Sequence, residues 1–513
     1  MAQRPLVLFN SDGRKQEEFQ PRTPGRVGLY TCGLTVYNYA HIGNLRAYVF
    51  TDTLRRTLQW KGYDVLHVMN ITDVGHLTSD ADEGDDKMEQ AAERRGKTVW
   101  ELAAYFTAEF QQDLEALHVL TPSVWCKATD HVQEMIAFAQ RIETNGYAYA
   151  LDDGLYFDTS KLGQYGRMAM LDVEGMREGA RVAATAGKRN PTDFVLWRRS
   201  PKDKQRLMEW SSPWGVGAPG WHLECSAMSI KYLGEHFDIH TGGIDHRQVH
   251  HPNEVAQNEG FLGGVEPATV RYWMHNEFLT FGDEKMKMSK STGRFLRLAA
   301  LREDGIHPAS YRFFVLQASY GKPLAFSSEA LAAAQSGLAR LLRRLEALKA
   351  QATDRVWFEL LREQRFSRGG SLRYLVERLL EGLSAEKRAW HDRLDEALCR
   401  DLNTPQALAL LGDLVGSSEL SPDEVLRLVA VYDLVLGLDL LQLTPEDLQL
   451  RPASADLDDA QVDALLQERE AARKGRDFAR ADQIRDELQA KGVVIKDGRG
   501  GSLWEWAPTA GRH

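Results

Sequence analysis

Between residues 27 and 69 the chain reads apolar strand, turn, amphipathic helix, apolar strand, and that order admits few folds. Val27-Gly28-Leu29-Tyr30-Thr31 is a short apolar strand, and Cys32-Gly33-Leu34-Thr35 follows as a turn. A helix is predicted from about His41, with Leu45, Val49, Leu54 and Leu58 on its buried face at mostly four-residue spacing. Gly62 stands where a C-terminal cap is expected, and Val65-Leu66-His67-Val68-Met69 reads as a second buried strand. Such a βαβ unit predicts an α/β fold with a doubly wound, Rossmann-like parallel sheet. Ligands of such sheets bind beyond the C-terminal ends of the strands.

The 513 residues leave room for about three domains. Residues 1–86 and 214–326 are expected to build the catalytic sheet, with 87–213 as an inserted subdomain of charge-rich helices and short strands. Sheet structure should resume near Gly220, with Phe237-Asp238-Ile239-His240 as another strand. From 327 to 443, Leu338, Leu341, Leu342, Leu345 and Leu348 recur at helical spacing, which predicts a helix bundle. Residues 444–459 are polar and carry proline, as a linker does. The tail, 460–513, should fold into helices at about 460–474 and 477–490, then a hairpin pairing 493–496 with 503–506.

Composition narrows the partners. No run of about 18 uncharged apolar residues is present, so no membrane span is expected. Sixty-three basic against 73 acidic residues give a net charge of -10, which argues against indiscriminate coating of nucleic acid. Local basic surface is still able to neutralise phosphates. Cys32, Cys126, Cys225 and Cys399 are few and far apart, and the first residues lack the apolar core of a signal peptide. They read as reduced cytoplasmic thiols or metal ligands.

Three patterns carry chemistry. His250 and Glu254 lie four apart on a helix, so both can face one ion, and Cys225 and Cys32 offer thiolates of the kind zinc takes beside nitrogen and oxygen. His41-Ile42-Gly43-Asn44 opens a helix, where backbone N–H groups and the dipole favour phosphate. Lys287-Met288-Ser289-Lys290-Ser291 places two mobile cations where they can clamp a polyphosphate. Taken singly, each has a plainer reading: a surface pair and buried thiols, a helix cap, a solvated loop.

Together the HIGH-type motif, the KMSKS loop and the sheet resemble the class I aminoacyl-tRNA synthetases. Further blocks are similar to the cysteinyl-tRNA synthetase family. They include Cys32-Gly33-Leu34-Thr35-Val36-Tyr37-Asn38, Asn70-Ile71-Thr72-Asp73, and 188–197. Others are Pro219-Gly220-Trp221-His222-Leu223-Glu224-Cys225, His250-His251-Pro252-Asn253-Glu254, 401–408 and, in the tail, 476–482. The resemblance spans nearly the whole chain. It implies one Zn2+ on Cys32, Cys225, His250 and Glu254, completed by the substrate thiolate. It also implies Gly33, Thr72, Trp221, His222 and Asp245 around L-cysteine, with Asp245 pairing the α-ammonium group. His41, Gly43, Asn44, Lys287 and Lys290 then serve ATP, which arrives with Mg2+, and Arg473, Phe478 and Asp482 read the anticodon of tRNA(Cys). The implied enzyme is a cytoplasmic monomer without membrane partners.

Several residues depart from the family pattern. Asn44 replaces a frequent second histidine, Arg294 a usual asparagine, His240-Thr241-Gly242-Gly243 a three-glycine stretch, and Pro252 a glutamate. Residues 75–84 extend one loop, and 351–372 are an extra piece of the bundle without an assigned role. Two other functions fit parts of the pattern. One is the cysteine ligase of mycothiol synthesis, which acts on a small amine and needs no anticodon domain. The other is an inactive paralogue that only binds RNA.

Overall fold

In a computed structural model, residues 4–75, 87–170, 187–201, 206–264, 268–281, 297–354, 372–498 and 501–507 are described. The expected βαβ unit is present as the strand Arg26–Thr31, the helix Ile42–Trp60 and the strand Asp64–Ile71. Gly62, at φ +99°, turns the chain out of that helix in a backbone region that favours glycine. The sheet has five strands, in spatial order Val270–Asn276, Phe237–Gly243, Arg26–Thr31, Asp64–Ile71 and Val124–Lys127, all parallel. The helices Ile42–Trp60 and Trp221–Leu233 pack against it.

Val124–Lys127 corrects one boundary. It lies inside 87–213, yet pairs in register with Asp64–Ile71, so that stretch is not one unit set apart from the sheet. A separate antiparallel sheet follows it: Ala148–Leu151, Gly154–Phe157, Phe194–Arg199 and Gly217–Pro219. Its last strand, Gly217–Pro219, lies wholly beyond residue 213. The supposed linker is also anchored. Leu448 is buried in the main core, and Ala453 N donates to Glu303 O at 2.7 Å. The tail has its own core of Leu457, Val462, Leu466, Ile484, Leu488, Val493 and Trp506. Its hairpin pairs Val493–Gly498 with Gly501–Trp506.

The helix Ile42–Trp60 runs between the sheet and the bundle helix Pro422–Leu436, and charge fixes that seam. Asp52 accepts from Arg56 Nε at 2.7 Å and from Arg312 Nη2 at 2.6 Å, all three side chains being buried. The same arginines donate to the Leu434 and Leu436 carbonyls, which close the bundle helix. Burial opposes ionisation of Asp52, but Arg56 and Arg312 outweigh it and hold the carboxyl at about 2. A carboxyl depressed from its usual range near 3.9 stabilises the fold above that range and loses the effect as pH falls towards 2. Asp52→Asn should cost about 3–5 kcal/mol, because it strands two buried cations. Urea unfolding at pH 7 measures this, and a loss below about 1 kcal/mol would contradict the assignment.

Candidate active site

The C-terminal ends of Arg26–Thr31 and Phe237–Gly243 open into a cleft of about 660 Å³, lined among others by Cys32, Gly33, His41, Gly43, Asn44, Trp221 and Asp245. Gly33 is required by close approach. Its N–H donates to Asn70 Oδ1 at 2.7 Å, and a Cβ there would fall 1.6 Å from the Asn70 carbonyl oxygen. His41 is the N-cap of its helix: its Nδ1 accepts from Asn44 N, and Asn44 Oδ1 accepts from His41 N, both at 3.2 Å. Asn44 therefore fixes the helix start where an imidazole was expected. Gly43 has a reason of its own, since a Cβ would sit 2.9 Å from the His41 ring. Lys287 and Lys290 lie outside the described residues.

Behind Cys32 the structure brings together the four proposed ligands. Cys32, Cys225, His250 and Glu254 are all buried, with one donor atom each inside a 4.8 Å cluster. The two sulfurs are 3.8 Å apart, and His250 Nε2 lies 3.0 Å from Glu254 Oε1. Two sulfurs on a tetrahedral zinc, each at about 2.3 Å, would be about 3.8 Å apart, so the thiol spacing fits that ion.

The protonation pattern shows the same preference for a cation. Cys32 raises no charge of its own, because burial pushes its thiol well up, while the hydrogen bond from Cys32 pulls the Cys225 thiol down to about 6. Burial disfavours a charged His250, yet Glu254 and Cys225 outweigh it and lift the imidazole to about 10. Burial likewise opposes the Glu254 charge, and His240 and His250 overcome it, to about 2. A thiolate and a carboxylate thus face proton-borne positive charge, the place a divalent ion takes when it displaces protons.

His222, expected at the substrate, surrounds these ligands together with His240, His251 and His275, to which the sequence assigned no role. His240 Nε2 holds the second Glu254 oxygen at 2.9 Å. His222 Nδ1 meets His250 Nδ1 at 2.9 Å, which leaves the other His250 nitrogen for Glu254 and the thiols. His251 lies 3.4 Å from the Cys32 sulfur and 2.8 Å from His275, which in turn reaches Ser11 at 2.8 Å. Outer groups of this kind orient ligands and set their tautomers. Cys32, His240, His251 and Glu254 also lie close enough to form a second, overlapping donor group. For His240 and His251 the signal in the sequence was their closeness to His250 and Glu254; His275, 24 residues on from His251, gave none.

The expected substrate residues divide. Trp221 and Asp245 face the cleft; Trp221 stacks on His250 with ring centroids 4.3 Å apart, and the Asp245 side chain is 64% exposed. Thr72 and His222 are buried and do not line the cleft: Thr72 Oγ1 accepts from Asn70 Nδ2 at 3.0 Å and donates to Glu224 Oε2 at 3.1 Å. In the tail Phe478 is exposed, Arg473 pairs with Asp497 at 3.0 Å, and Asp482 with Arg485 at 3.3 Å.

Comparison with known proteins agrees with this geometry. Residues 18–336 match the tRNA synthetases class I (C) catalytic domain, and 456–504 match the cysteinyl-tRNA ligase anticodon binding domain. A cysteine–tRNA ligase of Zymomonas mobilis is 51% identical over 98% of both chains. The chain belongs to the cysteine–tRNA ligase family. A second member, from Novosphingobium aromaticivorans, is 47% identical over 98% of this chain and 97% of its own. The fold is shared with a LeuRS of Agrobacterium radiobacter K84, solved in a ternary complex with tRNA and LeuAMS. That likeness has a TM-score of 0.53 at 11% identity and covers 93% of this chain and 89% of the other.

Proposed function

We propose that the chain joins L-cysteine to tRNA(Cys) in two steps. In the first, the cysteine carboxylate attacks the α-phosphorus of ATP and pyrophosphate leaves; in the second, the terminal ribose hydroxyl attacks the cysteinyl carbonyl and AMP leaves. The observation that carries the reading is a buried two-thiol, imidazole and carboxylate cluster set behind a cleft that also holds the HIGN helix start. Zinc, when bound to Cys32, Cys225, His250 and Glu254, supplies a soft Lewis-acid position that prefers the sulfur of cysteine to the oxygen of serine.

The chain's own groups do the rest. The exposed Asp245 carboxylate pairs the α-ammonium group, and Gly33 and Trp221 shape the surrounding wall. Thr72 and His222 act from behind it, Thr72 by holding Glu224 and His222 by orienting His250. His41, Gly43 and Asn44 present the helix start to the phosphates, and Lys287 and Lys290 add charge beside Mg2+. Positioning and charge stabilisation are what this chemistry requires, and no side-chain nucleophile is needed. Arg473, Phe478 and Asp482 are assigned to the anticodon. The described residues contain no helix long and apolar enough to cross a membrane. We assign a cytoplasmic location and a monomeric state on the family resemblance.

A tail matching the anticodon-binding domain favours tRNA over a small amine acceptor. The expected results are one zinc per chain by elemental analysis, cysteine-dependent pyrophosphate exchange, and charging of tRNA(Cys). Glucosaminyl-inositol offered in parallel should remain unmodified. Transfer to that amine with no tRNA charging would reverse the assignment.

A further inference from the structure

Arg46 lies on the helix Ile42–Trp60, two residues beyond Asn44, and is only 1% exposed. One terminal nitrogen of its guanidinium donates to the Glu277 carbonyl at 2.7 Å and to the Phe278 carbonyl at 2.5 Å. The other donates to the Lys322 carbonyl at 2.6 Å and to the Ser319 carbonyl at 3.3 Å. Burial opposes the charge, and Tyr311 and Glu277 favour it. All four acceptors are main-chain oxygens, so the guanidinium fixes backbone and not side chains. The two segments it grips also hold each other. Glu277 N donates to the Tyr320 carbonyl at 2.8 Å, Leu324 N donates to the Phe278 carbonyl at 3.0 Å, and the strands Leu279–Phe281 and Leu324–Phe326 pair in parallel. Glu277, Phe278, Leu279 and Phe281 line the same cleft as His41, Gly43 and Asn44. In the sequence Lys287 and Lys290 follow this wall at six and nine residues beyond Phe281.

We propose that Arg46 is a positioning residue for cysteine activation, holding the cleft wall Glu277–Phe281 in register with the helix start that presents His41, Gly43 and Asn44. The helix start has ties of its own: the Tyr311 hydroxyl donates to the Ile42 carbonyl at 2.5 Å, and His41 and Asn44 close their reciprocal cap. Arg46 therefore serves the wall and not the beginning of the helix. None of its four acceptors belongs to the thiol cluster or to Asp245, so cysteine binding lies outside its reach. Misplacing a reacting group by about 1 Å costs on the order of a hundredfold in rate, and a wall released from the helix is free to shift by that much. The proposal rests on the ligase reading above and adds the device that keeps its two ATP-binding elements aligned.

The test is cysteine-dependent pyrophosphate exchange by full-length chains, at a temperature where circular dichroism shows them folded. Arg46→Lys keeps the charge but replaces a planar fork by one nitrogen with three donors, too few for four carbonyls on two segments. It should lower kcat about a hundredfold and change the KM for cysteine by less than about twofold. Arg312→Lys is the matched control. Arg312 is equally buried and donates to the Leu436 and Leu117 carbonyls, neither of which lines the cleft. Its lysine variant should melt at a lower temperature, with kcat within about threefold of wild type. Lys290→Ala supplies the deciding comparison. Residues that act as a unit are far from additive, so adding Arg46→Lys to Lys290→Ala should lower kcat by less than about threefold more. A full further hundredfold loss in the double variant overturns the proposal, as does wild-type kcat in Arg46→Lys. So does an equal fall in Arg312→Lys, or an Arg46→Lys chain that does not fold, because either makes the arginine a support of the fold at large. A defect confined to the KM for cysteine overturns it too, since the fault would then lie at the amino-acid site. A wild-type chain without cysteine-dependent exchange sinks the ligase reading and this proposal together.

Discussion

Cys225→Ser will lose stoichiometric zinc and lower cysteine-dependent pyrophosphate exchange by about a thousandfold. Changing a partner of a metal ligand already costs about 10–100-fold in affinity or activity, and here a ligand itself is exchanged. The serine hydroxyl is not ionised near neutral pH, whereas the hydrogen bond with Cys32 pulls the Cys225 thiol down to about 6. Serine also keeps the shape and leaves the fold of a helix buried on this face intact, so the defect will be chemical. The wild-type chain should refuse free serine for a related reason. Size alone separates cysteine from serine by only ~1–3 kcal/mol, whereas a soft metal discriminates sulfur from oxygen by kind. Metal content of the purified variant and exchange with each amino acid measure both effects. Full zinc in Cys225→Ser, or wild-type turnover of serine within tenfold of cysteine, would refute them.

What could be read from the sequence was local and periodic. The first strand and helix, the leucine-patterned bundle and the final hairpin emerge within a residue or two of expectation, because each is set by neighbours in the chain. Val124–Lys127 escaped notice for the opposite reason. Four residues in a charged stretch carry no period, and only pairing with Asp64–Ile71 makes them a strand of the main sheet. The His250/Glu254 pair was legible as helical spacing, but joining it to both thiols in one site rested on the family pattern, since 193 residues separate Cys32 from Cys225. Family resemblance gave no hint that His222 and Thr72 stand behind the cleft wall. Their positions depend on His250 and Glu224, partners 28 and 152 residues away. Asn44 shows a third case. Its departure from the family motif looked like an altered nucleotide contact, while in the fold the amide also closes a reciprocal cap with His41.

Deleting residues 456–513 will leave cysteinyl-adenylate formation near wild type and reduce tRNA charging about a hundredfold. The deletion removes a body with its own apolar core, in which Arg469 also grips Asp497 through two hydrogen bonds of 2.8 Å. It spares Leu448 and the Ala453–Glu303 contact, which fasten the preceding segment to the main core. Nothing in the cleft or the thiol cluster lies beyond residue 281 among the described residues, so adenylate chemistry has no need of the tail. RNA binding does. Phe478 is 62% exposed at the first position of its helix, with Arg476 and Arg473 just before it. An exposed Arg473–Asp497 pair is worth little in water, so the guanidinium can exchange Asp497 for an RNA phosphate at small cost. An exposed ring beside exchangeable cations is the arrangement that stacks and holds unpaired bases. The loss should therefore appear in the KM for tRNA, with kcat changed less, and the salt dependence of charging should flatten as phosphate contacts disappear. Single-turnover charging of saturating tRNA separates the two, and equal charging efficiency by truncated and full-length chains would show that the tail does not read the anticodon.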